Sequence, residues 1–506
     1  MQPVGSLTMS KSVRVWLLLL LLVPLGCTVG PDYVRPEVDT PDTWRVDYRE
    51  AADTSNLRWW EQFQDPVLNE LIDIALRENR DVRIAAARVL EFAARVDIFR
   101  SGFFPQIGYN GDASRNRVSR DAFGGVPPGS SRSYNNYAGS VNLGWELDLW
   151  GRIRRANEAA RAELLAQEEN RRSVILSLVS AVSTTYITLR QFDSQLQVSR
   201  DTLQVRGESL ELFQMKFRGG VVSELELAQV RTEYEQAAAA IPPIERQIAL
   251  TENALSILLG RNPGDIPRGK RLAELALIPV PAGVPSSLLE RRPDVRIAEQ
   301  NLVAANASIG VARAQYFPNI SLTGLFGYAS EDLGDLLQGS SNFWNMGGSA
   351  LGPIFTGGRI SGQVRASEAV QKQALTAYLQ TVQTAFREVD DSLVNVQKSR
   401  EQLSAVERQV NALADYARLA KLRYDAGYSS YIEVLDAQRF LFDARLQYVE
   451  VQGDVYASLV GTYKAMGGGW VVEAQKTADE VDFPPPAGKQ PQSFRFPRPT
   501  QPNTAE

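Results

Sequence analysis

Histidine is absent from the 506 residues, and cysteine occurs once, at Cys27. Without imidazole there is no His general base and no His-ligated metal, which excludes most hydrolytic sites. A single cysteine excludes an internal disulfide framework and a thiolate cluster. With only five methionines, nothing hints at a metal relay. A dominant charge sign is also lacking. The 54 Lys and Arg face 59 Asp and Glu, for a net charge of −5, so the chain does not read as a nucleic-acid binder. No nucleophile has a base to pair with, so neither an enzyme activity nor a cofactor is expected.

Long apolar runs are scarce as well. The one strong example is "VWLLLLLLVPLGC", preceded by Lys11 and Arg14. It is short for a membrane-spanning helix and has the form of a secretory signal. Its Gly-Cys end reads as a bacterial lipoprotein signal over residues 1–26, with Cys27 as the lipid attachment site. Pro24 stands where Leu is usual in such signals, and Met9 offers a second start with a tidier basic flank.

What is present is a duplication. "DVRIAAARVLEFAARVDIFRSGFFPQI" starts at Asp81 and "DVRIAEQNLVAANASIGVARAQYFPNI" at Asp294, a spacing of 213 that also relates Pro105 to Pro318. Further on, Gly151 and Gly358, and Gly220 and Gly427, are 207 apart. The six-residue difference falls where the first copy carries the loop "DAFGGVPPGSSRS". The expected organisation is an N-terminal segment over 27–80 and a first repeat over 81–259. A linker over 260–293, a second repeat over 294–466 and a poorly ordered tail over 467–506 follow.

Each repeat reads as a helix, two strands and a very long helical stretch broken once by Gly. Strands are expected at about 105–149 and 318–356, and long helices at about 152–259 and 359–466. In "YAGSVNLGWELDL", Tyr137, Val141, Leu143, Trp145, Leu147 and Leu149 share one face, opposite Ser140, Asn142, Glu146 and Asp148. This period of two fits a tilted membrane strand, and equally a soluble hairpin. Four strands in a bilayer would leave open edges with unpaired backbone groups, so a membrane location would require several chains to share a barrel.

The long stretches carry a strict heptad. Ile175, Val182, Leu189, Leu196, Leu203, Leu210 and Phe217 have the counterparts Val382, Val389, Val396, Leu403, Val410, Ala417 and Tyr424. So narrow a seam marks coiled-coil packing, with much polar surface left over. It suits a hollow ring of helices with a wet lumen; a plain dimeric coiled coil would leave the strands without a role.

The segments "CTVGPDYVRPEVDTPDTW", "WWEQFQDPVLNELIDIALREN", "ELDLWGRIRRANEAARAELLA", "LLERRPDVRIAEQNLVAANASIGVARAQYFPNISLTG" and "YKAMGGGW" occur in this order. Together they resemble the outer membrane factor family, TolC-like exporters on their lipoprotein branch, from Cys27 to Trp470. The resemblance implies a mainly helical fold with a membrane β-barrel. Three chains would each give four strands to a shared twelve-stranded barrel, with helical hairpins forming a periplasmic barrel below it. It implies a homotrimer in the outer membrane of a Gram-negative bacterium, a passive exit duct for drugs or toxic compounds. The implied partners are outer membrane lipid, a periplasmic adaptor and an inner-membrane transporter of the resistance-nodulation-division type. A trimeric coiled-coil adhesin anchored by its barrel is the alternative.

By the same resemblance, Gly219, Gly220, Ser223, Gly427 and Ser430 lie at the hairpin tips that meet the partner. Glu433, Asp436 and Tyr424 match residues of the periplasmic aperture. Ser429 stands where some members place a basic partner for these acids. The acids also have a local reading. Ser223-Glu-Leu-Glu226 and Ser430-Tyr-Ile-Glu433 both have capping-box spacing, so Glu433 fits a cap as well as a gate.

Overall fold

The structure of the protein is a computed structural model. It describes residues 28–46, 58–119, 131, 133–280, 285–468 and 470–479. The signal segment and Cys27 lie outside them.

Asp65 caps the first helix, α1 (Pro66–Glu78), and Asn79 caps α2 (Arg80–Ser101). A hairpin follows, β1 (Gln106–Arg117) and β2 (Ser133–Leu147), then α3 (Arg152–Arg218) and α4 (Glu224–Leu258). The second repeat runs through α5 (Pro293–Ala314), β3 (Asn319–Ser330), β4 (Asn342–Leu351), α6 (Arg359–Asp425) and α7 (Tyr431–Met466). At about 1.5 Å per residue, the 67 residues of α3 and the 67 of α6 each extend roughly 100 Å. The Gly-rich segment around Phe343 forms β4. Its pairing with β3 outweighs its low intrinsic preference.

The four strands form one antiparallel sheet in the order β1-β2-β3-β4. Directly paired residues share a face, so the register shows which side chains lie together. Tyr109 pairs with Val141, Val141 with Phe326, and Phe326 with Trp344. Asn110 pairs with Ser140 and Ser321 with Ser349 on the other face. One face of the sheet is therefore apolar and exposed, with Tyr109, Phe326, Trp344 and Met346 all open to the outside. Such a face is stable against lipid rather than water. Among the described residues, β1 and β4 each keep one unpaired edge.

α3 and α4 pack as one antiparallel hairpin, and α6 and α7 as another. The heptad line is buried where the hairpins adjoin the rest of the chain, at Ile175, Val182, Leu189, Val382, Val389 and Val396. Towards the tips it is only partly covered.

Between sheet and tips lies the main core. Trp59 stacks on Tyr463 at 5.2 Å, Trp60 meets Trp470 edge-on at 5.5 Å, and Phe63 meets Tyr456 at 6.0 Å. The buried Asp65 accepts from the Tyr186 hydroxyl at 2.8 Å and from Lys270 N at 3.0 Å. Segments before, between and after the repeats thus share one core.

The tail corrects an expectation. Trp470–Asp479 is helical, α8, because Trp470, Val471, Ala474 and Ala478 make an apolar stripe that docks on α1 and α3. The polar composition after Trp470 concealed that stripe. Residues 480–506 lie outside the described residues.

Residues 28–46 lie outside helices and strands. Val29 N donates to Trp150 O at 3.1 Å and Arg45 N to Asp390 at 3.0 Å. This segment starts at the base of the sheet and runs along α5, where a Cβ on Gly30 would sit 2.5 Å from Gly310 Cα. A side chain there would push the segment off the helix.

Candidate functional site

At the first tip α3 ends on Gly219 and Gly220. Gly220 N donates to Phe217 O at 2.9 Å and Val221 N to Lys216 O at 2.9 Å. At the second, Gly427 N donates to Tyr424 O and Tyr428 N to Arg423 O, both at 2.9 Å. Gly220 has φ +69° and Gly427 φ +77°, and a Cβ on either would meet nothing within 4 Å. Backbone handedness, not space, calls for glycine.

Beyond the turns the tips diverge. Ser223 and Glu226 form a complete capping box: Ser223 N donates to Glu226 Oε2 at 2.8 Å, and Glu226 N to Ser223 Oγ at 3.2 Å. Ser430 makes no side-chain cap, and Glu433 N turns to the Ser430 carbonyl at 3.3 Å. The second capping box expected from spacing is therefore not formed. The Glu433 carboxylate instead accepts from Arg423 at 3.2 Å, across the turn on α6. Asp436, one turn further along α7, accepts from Arg439 at 2.8 Å.

Tyr424 belongs to an aromatic cluster. Its ring lies 4.8 Å from Tyr431 and 6.4 Å from Phe213, and Tyr431 is 4.3 Å from Phe213. Lys216 Nζ sits 5.3 Å from the Phe213 ring and 5.4 Å from that of Tyr424, a double cation–π contact. Val434, Leu435 and Val230 complete a small core joining the two hairpins. Burial raises the Tyr431 hydroxyl above its usual range, against a lowering hydrogen bond with Ser209.

Higher up, Arg206 is buried between the hairpins. It donates to Glu233 O at 2.6 Å, lies 3.0 Å from the Glu233 carboxylate and stacks 5.3 Å from Phe442 on α7. Burial holds its guanidinium below the usual arginine range, opposed by Glu233 and Asp443. A cavity of about 190 Å³ opens beside it, lined by Val205, Ala417, Leu441, Phe442 and Arg445 among others.

Arg423, Arg439, Lys216 and the Arg206–Glu233 pair were not singled out from the sequence. Arg423 had a signal, being a basic residue at the turn, though before the glycine rather than after it. Arg206 had none, since one arginine on a polar helix face looks like any other. Among the described residues no group of His, Cys, Asp or Glu is placed to hold a metal.

The outer membrane efflux protein family matches residues 71–261 and 284–468, both repeats. The chain belongs to this family. It is 40% identical over 471 residues to the solvent efflux pump outer membrane protein SrpC of Pseudomonas putida, covering 91% of this chain and 99% of that one. It is 35% identical over 451 residues to the cation efflux system protein CusC of Escherichia coli, covering 88% and 96%. Among solved structures, the Campylobacter jejuni CmeC outer membrane channel superposes with TM-score 0.84 at 27% identity, covering 90% of this chain and 99% of that one. The open-state Neisseria gonorrhoeae MtrE outer membrane channel does so with TM-score 0.79 at 30% identity, covering 88% and 99%. The fold is that of TolC-like channels, and the efflux protein resides in the outer membrane. The adhesin alternative is thereby set aside.

Proposed function

We propose that three copies of this chain close one twelve-stranded barrel and form the passive exit duct of a tripartite export system. The observation that carries the reading is the four-stranded sheet, apolar on one exposed face and open at both edges, set on two hairpins of roughly 100 Å. Open edges in lipid cost several kcal/mol per unpaired group, so the sheet has to close through other copies. Cys27 carries the lipid, a palmitoyl-bearing anchor just before the segment that starts at the base of the sheet. The tips around Gly219, Gly220, Ser223, Gly427 and Ser430 meet a periplasmic adaptor, which links the duct to an inner-membrane transporter of the resistance-nodulation-division type.

Glu433 and Asp436, repeated by threefold symmetry, form two acidic rings at the periplasmic aperture, and Tyr424 braces the helices behind them. Rings of carboxylates favour cations and resist full ionisation of their neighbours. Arg423 holds Glu433 in place of the basic residue missing at Ser429. The cargo class is small toxic compounds; relatives are named for solvent, toluene, antibiotic and cation efflux.

The test is complementation. In a strain lacking its own outer membrane efflux channel, the chain expressed with its adaptor and transporter should restore tolerance to organic solvents or antibiotics. Correctly inserted protein that restores none of these would contradict the reading.

A further inference from the structure

Just below the sheet, the two sides of α3 carry different chemistry. Arg152 donates to both oxygens of Glu146, at 2.9 and 2.8 Å, and Glu146 pairs with Ser321 on the polar face of the sheet. Arg161 follows Arg152 by about two and a half turns, which sets it on the opposite side of α3, roughly 14 Å further from the sheet. That side continues the apolar face. Trp145, which pairs with Leu322 there, donates its indole N–H to Phe103 O at 3.0 Å.

Phe103 also lines a cavity of about 430 Å³ between α3 and α5, a size that suits a small ligand. Leu165 and Val303 add to its apolar lining, and Arg154, Asn157, Glu158 and Arg161 are charged or polar. Two of these four are satisfied within the chain. Arg154 lies 3.3 Å from Asp148, and Glu158 accepts from Arg155 at 2.8 Å. The other two are donors in want of an acceptor. Asn157 is 4% exposed, and its amide nitrogen is buried without a partner. Arg161 is exposed and makes no ion pair among the described residues. Two arginines against one glutamate leave the lining with an excess positive charge.

The second repeat lacks both donors. Offset by 207, Asn157 becomes Val364, which needs no partner, and Arg161 becomes Glu368, which accepts from Arg313 at 2.8 Å. A buried donor kept without an internal partner in one repeat, and removed from the other, calls for an external acceptor.

We propose that this cavity binds an anionic phospholipid of the periplasm-facing leaflet through its phosphodiester. With the sheet in the hydrocarbon, the headgroup layer, roughly 5–7 Å deep on each side, meets the top of α3. The phosphate accepts from Arg161, in a charge-assisted bond, and from the Asn157 amide. The flexible arginine stem spans the remaining depth. Phe103, Leu165 and Val303 lie against the glycerol and the first acyl carbons, with Leu165, 46% exposed, at the rim. The site follows from residence in the outer membrane and is independent of how many chains form the duct.

Native mass spectrometry of the full-length protein, titrated in detergent with dioleoylphosphatidylglycerol, tests the site. Wild type should retain one lipid per chain. Arg161→Glu and Asn157→Val, each copying the second repeat, should weaken retention by about tenfold, as for loss of one charge-assisted or buried hydrogen bond. Arg161 is exposed, so its change leaves the fold intact. Lys372→Glu, an exposed change on the equivalent stretch of α6, should have no effect. Dioleoylglycerol, which has no phosphate, should not be retained. Unchanged retention in either cavity variant, equal weakening by Lys372→Glu, or equal retention of dioleoylglycerol would overturn the proposal. Displacement of the lipid by inorganic phosphate at equal concentration would also overturn it, making the cavity a site for the free anion.

Discussion

At the first hairpin tip Ser223 and Glu226 satisfy each other. At the second, Ser430 caps nothing with its side chain and Glu433 reaches back to Arg423 on the preceding helix. The residue equivalent to Arg423 in the first repeat is Lys216, committed to the Phe213 and Tyr424 rings and so not available to Glu226. The equivalent of Asp436 is the neutral Gln229. Between the hairpins the contrast reverses: Arg206 and Glu233 form a buried pair in the first, where the second has Leu413 and Phe440. One duplicated hairpin has thus become a pinned frame with a self-sufficient tip. The other carries its charge at the tip, in one bond that spans the turn, Arg423 to Glu433, and one within α7, Arg439 to Asp436.

The largest effect should come from the pin. Arg206→Met leaves the Glu233 carboxylate without its partner in a mostly buried site, at a cost of about 3–5 kcal/mol. Hydrogen exchange should accelerate across the tip halves of α3 and α4. The double change Arg206→Leu with Glu233→Phe copies the second hairpin and should recover most of the protection. No recovery would show that the hairpins are not interchangeable in their packing.

Next come the glycines. Gly220→Ala and Gly427→Ala should each cost about 1–2 kcal/mol locally, and equally, since both sit at positive φ in open space. A much larger loss at Gly427 would mean that the second tip depends on its turn in a way the first does not.

The caps distinguish the tips most cleanly. Ser223→Ala should cost about 1 kcal/mol and free the first turn of α4 to exchange. Ser430→Ala, which removes no side-chain cap, should leave exchange in α7 nearly unchanged. Glu433→Gln should change stability least, by roughly 0.2–1 kcal/mol and only at low salt, as fits an exposed ion pair.

Much of this was legible in the sequence because it depends on periodicity. The repeat, the strand faces and the helix breaks at Gly220 and Gly427 follow from spacing alone, and the structure keeps them. The second capping box was not legible. Its Ser-x-x-Glu spacing is the same in both repeats, and the outcome turns on whether position 216 or 423 of the preceding helix takes the carboxylate. Helix α8 was missed because three small residues behind Trp470 bury only in company with Trp59 and Trp60, some 400 positions earlier. Arg206 was hidden for the same reason: burial of a charge is a property of the assembled hairpins.

Single-channel recording in a planar bilayer most directly tests whether the second tip is the gate. Wild type should show a small, cation-preferring conductance. Asp436→Ala should enlarge it by about twofold or more or weaken the preference, as expected on removing a ring of carboxylates, while Ser223→Ala should leave it unchanged. Equal conductance and selectivity in wild type and Asp436→Ala, or a change with Ser223→Ala alone, would contradict the assignment of the gate to the second tip.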